Sequence, residues 1–177
     1  MKILENKKVA ILADNGFEEL ELKSPKEYLL AEGVSVDVVS PQKDKIKSWD
    51  FTDWGPDYSV DVELKDANPD DYDALVLPGG VINPDSLRIN PEAIQFIDAF
   101  VKAGKPVAAI CHGPWTLIET GELKGKKLTS YKSIKTDLIN AGVDWVDQEV
   151  VKDGNIITSR TPDDLEAFNK TIKEALS

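Results

Sequence analysis

The chain of 177 residues is 41% hydrophobic and 30% charged, a composition typical of one folded domain with a buried core. Its formal net charge of −11 disfavours nucleic acids and acidic membrane surfaces as partners, because both are polyanions. No apolar run approaches the ~20 residues that a membrane-spanning helix needs. With one cysteine and one histidine, the chain can form neither an internal disulfide nor a Cys/His metal site.

The same features indicate the compartment. The N-terminal stretch M-K-I-L-E-N-K-K is too short and too charged to be a secretory signal. A single cysteine is also typical of proteins that fold in a reducing environment. We therefore expect a cytoplasmic protein.

Apolar patterns in the first half of the chain alternate between strand and helix. In chain order they predict a strand at 7–13, a helix at 17–33, a strand at 34–40, an edge strand at 59–64 and a strand at 73–77. Pro25 is expected to kink the first helix or to divide it in two. The polar segment 41–58 has neither period, and we interpret it as a short hairpin or flap.

The second half continues the alternation. It predicts a helix at 91–103, a strand at 107–110, a helix at 114–120, a strand at 127–130, a helix at 134–141, strands at 145–151 and 156–159, and a closing helix at 162–176. Asn90 is the predicted N-cap of the helix that starts at Pro91. The pair Asp153-Gly154 predicts a hairpin turn between the last two strands.

Buried strands that alternate with helices predict a mainly parallel sheet with helices on both faces. The expected architecture is a single doubly wound α/β domain that spans residues 1–177. Ligands of such sheets bind at the carboxyl ends of the strands. This rule brings the loops at 15–18, 78–80 and 111–113 to one crevice.

Cys111 and His112 stand side by side where the strand at 107–110 is predicted to turn into a helix. A cysteine there is typical of a nucleophile elbow, in which small neighbours let the chain turn sharply. The positive end of the following helix favours the thiolate. Backbone N–H groups near His112, with Gly113 beside it, and those of Gly79 and Gly80 are expected to hold a developing oxyanion.

A free cysteine is often only a small buried apolar side chain, but the adjacent sole histidine and the elbow spacing favour chemistry here. Glu18, Glu19 and Glu21 follow the first strand, and most carboxylates in that position simply suit a helix start. One of them is expected beside Cys111, where its raised pKa would keep it protonated as a proton donor. The residues alone do not select which one.

Other classes of site fit less well. The phosphate-binding patterns G-x-G-x-x-G and G-x-x-x-x-G-K-[ST] are absent from the sequence, so we expect no flavin or nicotinamide cofactor. A Cys-His-Glu amidotransferase triad needs a histidine far downstream, and none follows His112. A Cys-His protease needs a carboxylate that orients His112, for which another subunit is one source.

Segments spread over nearly the whole chain carry a resemblance to a known family. They are F-E-E-L-E-L (17–22), A-L-V-L-P-G-G (74–80), K-P-V-A-A-I-C-H-G-P (105–114), L-T-S-Y-x-S-I-K-T-D-L-I-N-A-G (128–142), W-V-D-Q-E-V-V (145–151) and T-S-R-T-P-D-D-L (158–165). In this order they resemble the ThiJ/PfpI superfamily, and specifically the PfpI-type intracellular proteases and deglycases.

The resemblance implies a flavodoxin-like sandwich of the class I glutamine amidotransferase-like kind, working without metal or organic cofactor. It implies that Cys111 is the nucleophile, Glu18 its acidic partner and His112 the neighbouring acid or base. It further implies a homodimer or higher homo-oligomer, in which Asp85 of an adjacent subunit orients His112. A glutamate is more usual at the position of Asp85.

Two departures from the family pattern concern the surroundings of the site. Trp115 stands where a glutamine is common, and we expect it to alter the pocket wall. The flap from Trp49 to Trp54 also differs in length and character. It is either a surface hairpin that packs its own aromatic residues or a lid or subunit contact.

By resemblance, we expect a cysteine-dependent stress-response enzyme that acts on methylglyoxal or glyoxal, or on their early protein and nucleotide adducts. The first alternative is an intracellular cysteine peptidase. The second is a redox-sensing stress protein or chaperone, because an exposed thiolate of low pKa oxidises readily. None of these functions requires stable binding to nucleic acid or membrane.

Overall fold

The computed structural model describes residues 4–177; residues 1–3 of the stretch judged too charged for a secretory signal lie outside it. The strands are β1 (Lys8–Leu12), β2 (Phe17–Glu18), β3 (Ser35–Ser40), β4 (Lys45–Asp50), β5 (Asp53–Ser59), β6 (Val62–Glu63), β7 (Ala74–Leu77), β8 (Val107–Ile110), β9 (Lys127–Leu128), β10 (Asp144–Trp145), β11 (Val150–Asp153) and β12 (Ile156–Ser159). The helices are α1 (Glu19–Ala31), α2 (Ile82–Arg88), α3 (Pro91–Lys102), α4 (Pro114–Ile118), α5 (Lys135–Asn140) and α6 (Leu165–Leu176).

A seven-stranded sheet in the order β11-β12-β8-β7-β1-β3-β6 forms the centre of the fold. Its neighbours are parallel except β11, which pairs antiparallel with β12 across the predicted hairpin turn. The predicted doubly wound, mainly parallel α/β fold is confirmed. Among residues 4–177, no helix is long and apolar enough to cross a membrane.

Alternate side chains of the central strands supply the two faces of the core. Leu12 and Leu75 face one side, where they join a cluster with Phe100 of α3. Ile11 and Val76, their neighbours in sequence, face the other side and join the cluster that includes Phe168 of α6 and residues of α1. Because helices cover both faces of the sheet, β7 and β8 are apolar throughout and β1 is apolar after Lys8.

The first helix differs from its prediction. Residues 17–18, expected in the helix, form β2 and pair in parallel with Ser48 and Trp49 of β4. The helix α1 then continues through Pro25, so of the two expected alternatives, a kink or a division in two, the division was wrong. The segment 41–58 contains the predicted hairpin, formed by β4 and β5. We call β4, β5 and their connection the flap.

Other differences lie close to the loops of the crevice. The short helix α2 escaped prediction because Asn83 and Pro84 interrupt its apolar pattern. The predicted strand at 145–151 was wrong, since β10 pairs with β9 in a separate ribbon and β11 begins only at Val150. The edge strand β6 is confirmed but is shorter than expected. The predicted N-cap of α3 is confirmed: Asn90 Oδ1 accepts from the amides of Glu92 and Ala93.

Candidate active site

Three loops meet at the carboxyl edge of the adjacent strands β1, β7 and β8. The amide of Glu18 donates to the carbonyl of Gly79 at 3.4 Å, which joins the first loop to the second. The buried Asn83 side chain donates to the carbonyls of Pro78 and Gly79 and accepts from the amide of Asp14 at 2.7 Å. Asn83 therefore locks two of the loops together, a function that no motif in the sequence indicated.

Cys111 occupies a sharp turn directly after β8. Its φ of 62° lies in the left-handed region, which a side chain other than glycine rarely adopts. Hydrogen bonds on both sides hold this conformation: the Cys111 amide donates to the carbonyl of Ser159 at 3.1 Å, and its carbonyl accepts from the amide of Tyr131 at 2.9 Å. The geometry is that of a nucleophile elbow. The side chain is 8% exposed.

Glu21 is the carboxyl group that faces Cys111. Its Oε2 accepts a hydrogen bond of 2.7 Å from the amide of Gly79, and a Cβ added at Gly79 would lie 2.6 Å from Oε2 and 2.7 Å from Cys111 Cβ. Only glycine therefore allows the carboxyl and the thiol to approach each other here. The resemblance had given this place to Glu18, and the structure gives it to Glu21 instead.

The reason lies in the start of α1. Glu18 belongs to β2, and its Oε1 points to the flap, where it accepts from the amide of Phe51 at 3.4 Å. Glu19 points outward and accepts from the hydroxyl of Tyr58 at 2.8 Å. Glu21 lies in the first turn of the helix and is fully buried toward the strand ends. The late start of the helix therefore decides which carboxylate reaches the cysteine.

Two backbone amides interact with the Cys111 sulfur, those of Gly80 and His112, and both lower the pKa of the thiol. The other two expected donors are engaged elsewhere. The amide of Gly79 donates to Glu21, and the amide of Gly113 donates to the carbonyl of Ile110 at 2.8 Å. The pair of donors available to an oxyanion is thus Gly80 and His112.

The protonation state of Cys111 and Glu21 differs from the expectation of a free thiolate at Cys111. Burial is the largest influence on Cys111, followed by the Glu21 carboxylate, and together they raise the pKa of the thiol. Burial also raises the pKa of Glu21 to about 8. Glu21 therefore keeps its proton at neutral pH, beside the Cys111 thiol.

His112 lies against the thiol. Its Nδ1 is 3.2 Å from Cys111 Sγ, and its Nε2 is 3.0 Å from Ser133 Oγ. Burial lowers the pKa of His112, so the ring is neutral and can accept a proton. A hydrogen on Nε2, donated to Ser133, leaves Nδ1 as the acceptor. The ring of Tyr131 stacks on the imidazole at 4.9 Å between centroids.

Ser133 was not singled out in the sequence, although it stands within the segment L-T-S-Y-x-S that carries the resemblance. Asp85, expected to orient His112, is exposed on α2. Its contact with His112 across subunits stays a prediction. Trp115 contacts His112 edge to face at 5.2 Å and is not among the residues that line the pocket.

A pocket of about 710 Å³ opens over Cys111. Its lining comprises Gly16, Glu18, Glu21, Trp49, Phe51, Gly80, Val81, Ile82, Cys111, His112, Tyr131, Ser133, Thr161, Pro162 and Asp163. The flap thus forms part of the wall. Within residues 4–177, no cluster of three or more His, Cys, Asp or Glu side chains is arranged to hold a metal ion.

The fold and this geometry define a class of proteins: α/β sandwiches with a cysteine on a strained elbow beside a buried glutamate. Within that class, the chain belongs to the DJ-1/PfpI family, whose family model matches residues 7–175. The resemblance to PfpI-type proteins is confirmed.

Relatives are similar over nearly their whole length. The chain is 44% identical over 169 residues to the deglycase PfpI of Pyrococcus furiosus, covering 96% of this chain and 99% of that protein. It is 46% identical over 165 residues to YraA of Bacillus subtilis, described as a candidate cysteine protease, covering 93% and 95%. The crystal structure of Drosophila melanogaster DJ-1beta matches with a TM-score of 0.88 at 32% identity, covering 96% and 90%.

Proposed function

We propose that the protein is a cofactor-independent cysteine enzyme of the deglycase or glyoxalase type. Its substrates are reactive dicarbonyls such as methylglyoxal and glyoxal, or their early adducts with proteins and nucleotides. The observation that carries this proposal is the convergence of a thiol, a neutral imidazole, a protonated carboxyl and two backbone amides on one pocket. The relative from Pyrococcus furiosus, a deglycase, supports it.

The first step follows from these positions. Cys111 Sγ forms a bond to the aldehyde carbon while its proton passes to His112 Nδ1, 3.2 Å away. The carbonyl π bond opens toward oxygen, which the amides of Gly80 and His112 hold. Glu21 then gives its proton to this oxygen, and the proton on His112 balances it. The product is a hemithioacetal, with no net change in protons.

Both activities share this intermediate. With free methylglyoxal, the hydrogen on the carbinol carbon moves to the neighbouring carbonyl carbon, with His112 and Glu21 as proton carriers. The result is a thioester of lactate, which water cleaves to lactate and free thiol. With an early amine adduct, the amine leaves with a proton as the sulfur takes its place. The site therefore serves either substrate.

A steady-state assay of wild type and Cys111→Ala tests the proposal. We expect wild type to convert methylglyoxal to lactate, and the variant to lose at least about a thousandfold in kcat/KM, because the sequence has no other cysteine to supply the thiol. Ile139→Ala, which changes an exposed residue of α5, is the matched control and retains full activity. Undiminished lactate formation by Cys111→Ala would refute a cysteine mechanism.

A peptidase is the second candidate, favoured by the description of YraA. The elbow cysteine and the two amides are also what an acyl-enzyme requires. Unfolded casein incubated with wild type and Cys111→Ala separates the two. Cleavage that depends on Cys111, without turnover of methylglyoxal, would replace the first proposal with this one.

We further propose that the enzyme is cytoplasmic and forms a homodimer or larger homo-oligomer. The single cysteine supports the first statement. The apolar side chain of Ile89 directly after α2, which is 82% exposed, supports the second together with the exposed Asp85 on the same helix. Sedimentation velocity of wild type and Ile89→Asp measures the assembly, and a monomer in both cases would contradict it.

A further inference from the structure

The geometry points to a subsite beside Cys111 for a bulky, uncharged apolar group, formed by Trp49 and Phe51 of the flap and by Val81 and Ile82 at the start of α2. The inference rests on the proposed function and narrows its substrate class. The preferred substrates are α-oxoaldehydes that carry an aromatic or branched aliphatic substituent, rather than methylglyoxal itself.

The size of the pocket is the first argument. Its volume of about 710 Å³ lies in the range of roughly 300–1,000 Å³ that is typical of sites for drug-sized ligands. A molecule as small as methylglyoxal would occupy only the part next to Cys111. The remaining space is available to a substituent on the far side of the ketone.

The chemistry of the wall is the second argument. Phe51 is 61% exposed, Val81 54% and Ile82 42%, although large apolar residues are usually buried. Trp49 lies beside them in the same pocket. Two elements far apart in sequence thus place apolar side chains around one opening, which indicates a surface that binds an apolar group.

The flap is fastened to the catalytic loops, so its aromatic residues are held at the pocket. The amide of Gly16 donates to the carbonyl of Lys47 at 2.8 Å, and the amide of Phe51 donates to Glu18. Phe51 has a φ of 51°, a conformation that hairpin tips usually give to Gly, Asn or Asp. A phenylalanine in this place is unfavourable for the turn, and contact with a ligand accounts for it.

Charge gives the third argument. Among the described residues that line the pocket, none is Lys or Arg, whereas Glu18 and Asp163 are acids and Glu21 is a protonated, uncharged carboxyl at neutral pH. A carboxylate or phosphate on the substituent would face these acids without a balancing cation. Anionic aldehydes such as glyoxylate are therefore poor substrates, and uncharged apolar substituents suit both the walls and the charge.

Initial rates with phenylglyoxal, methylglyoxal and glyoxylate test the inference, with Cys111→Ala as the blank. We expect wild-type kcat/KM to be about tenfold higher for phenylglyoxal than for methylglyoxal and to be lowest for glyoxylate. Phe51→Ala and Val81→Ala should lower the phenylglyoxal-to-methylglyoxal ratio roughly five- to tenfold. Phe51→Tyr keeps the ring and the preference, and Ile139→Ala leaves both rates unchanged.

An unchanged ratio in Phe51→Ala, or glyoxylate turned over as well as phenylglyoxal, would overturn the subsite while leaving the proposed function in place. A second readout needs no turnover: acetophenone should slow alkylation of Cys111 by iodoacetamide, whereas benzoate should not. This protection should weaken in Phe51→Ala. Equal protection by both compounds, or none, would also overturn the subsite, whatever reaction the enzyme catalyses.

Discussion

The pocket has two walls that differ in construction. The wall that carries Cys111 is buried, is joined by hydrogen bonds to β8 and β12, and contains the groups proposed to move protons. The flap wall is exposed, lies outside the central sheet, and offers aromatic side chains. The two walls are therefore expected to have different functions. Changes to the buried wall should alter the reaction rate and the stability, whereas changes to the flap should alter the choice of substrate.

Stability as a function of pH gives the largest expected effect on the buried wall. Burial raises the pKa of Glu21 from 4.5 to about 8. The folded protein holds this proton where the unfolded chain has released it, so the contribution is fully present below pH 4.5 and is lost as pH rises through about 8. The loss is of order 5 kcal/mol.

Urea unfolding of wild type and Glu21→Gln over this pH range measures the effect. The free energy of unfolding of wild type should fall with pH relative to that of Glu21→Gln, which has no proton to release. Glu18→Gln should change the slope less, because burial raises the pKa of Glu18 but the hydrogen bond from the amide of Phe51 lowers it. Glu122→Gln, which changes an exposed acid outside the pocket, is the matched control and should keep the wild-type slope. Parallel curves for wild type and Glu21→Gln would show that Glu21 is ionised in the folded protein.

Glu21 and Glu18 should also differ in their contribution to the reaction rate. Glu21→Gln keeps a neutral group next to Cys111 but cannot give up a proton, so kcat should fall roughly a hundredfold. Glu18→Gln should cost only a fewfold, since Glu18 binds the amide of Phe51. Methylglyoxal turnover by both variants decides this. Equal losses would mean that both carboxyls take part in the chemistry.

The same pair of residues shows how far sequence reasoning reaches. Alternating buried strands and helices predicted the sheet, and the sheet rule predicted that the three loops meet, because both depend on patterns repeated along the chain. The carboxylate that faces Cys111 is decided by the residue at which α1 starts, and this start lies directly after Glu18. Residues 17–18 form β2 instead of helix because β4 pairs with them. A contact between segments so far apart in sequence leaves no local pattern.

Ser133 was missed for a related reason. Its hydroxyl reaches His112 from a segment 21 residues away, and a serine in a loop carries no chemical signal of its own.

The expectation of a thiolate at Cys111 was wrong for a different reason. It considered the helix end after Cys111, whereas burial and Glu21 dominate the pKa of the thiol. The burial of a single side chain depends on tertiary packing, which the local sequence pattern does not show.

Ser133→Ala should have an intermediate effect. Loss of the hydroxyl leaves Nε2 of His112 without its partner, so kcat should fall about tenfold while KM changes little. Ser133 is exposed, so stability should not change. Ser133→Thr keeps the hydroxyl and should restore most of the rate. A pH–rate profile of Ser133→Ala identical to that of wild type would contradict a positioning role for Ser133.

The smallest expected effect is in the flap, where a substitution should raise the stability of the protein instead of causing a loss. Phe51 and Cys111 both have positive φ, but Phe51 is 61% exposed and contributes little to the core. Phe51→Gly should therefore stabilise the protein by about 0.5–1 kcal/mol, because glycine adopts this backbone conformation without strain. Thermal unfolding measures the gain, with Ile139→Gly, a helical position, as a control that should lose stability. If Phe51→Gly is less stable than wild type, the ring of Phe51 stabilises the folded protein by packing on it. The flap would then contribute to stability as well as to the choice of substrate, which would contradict the proposed difference between the two walls.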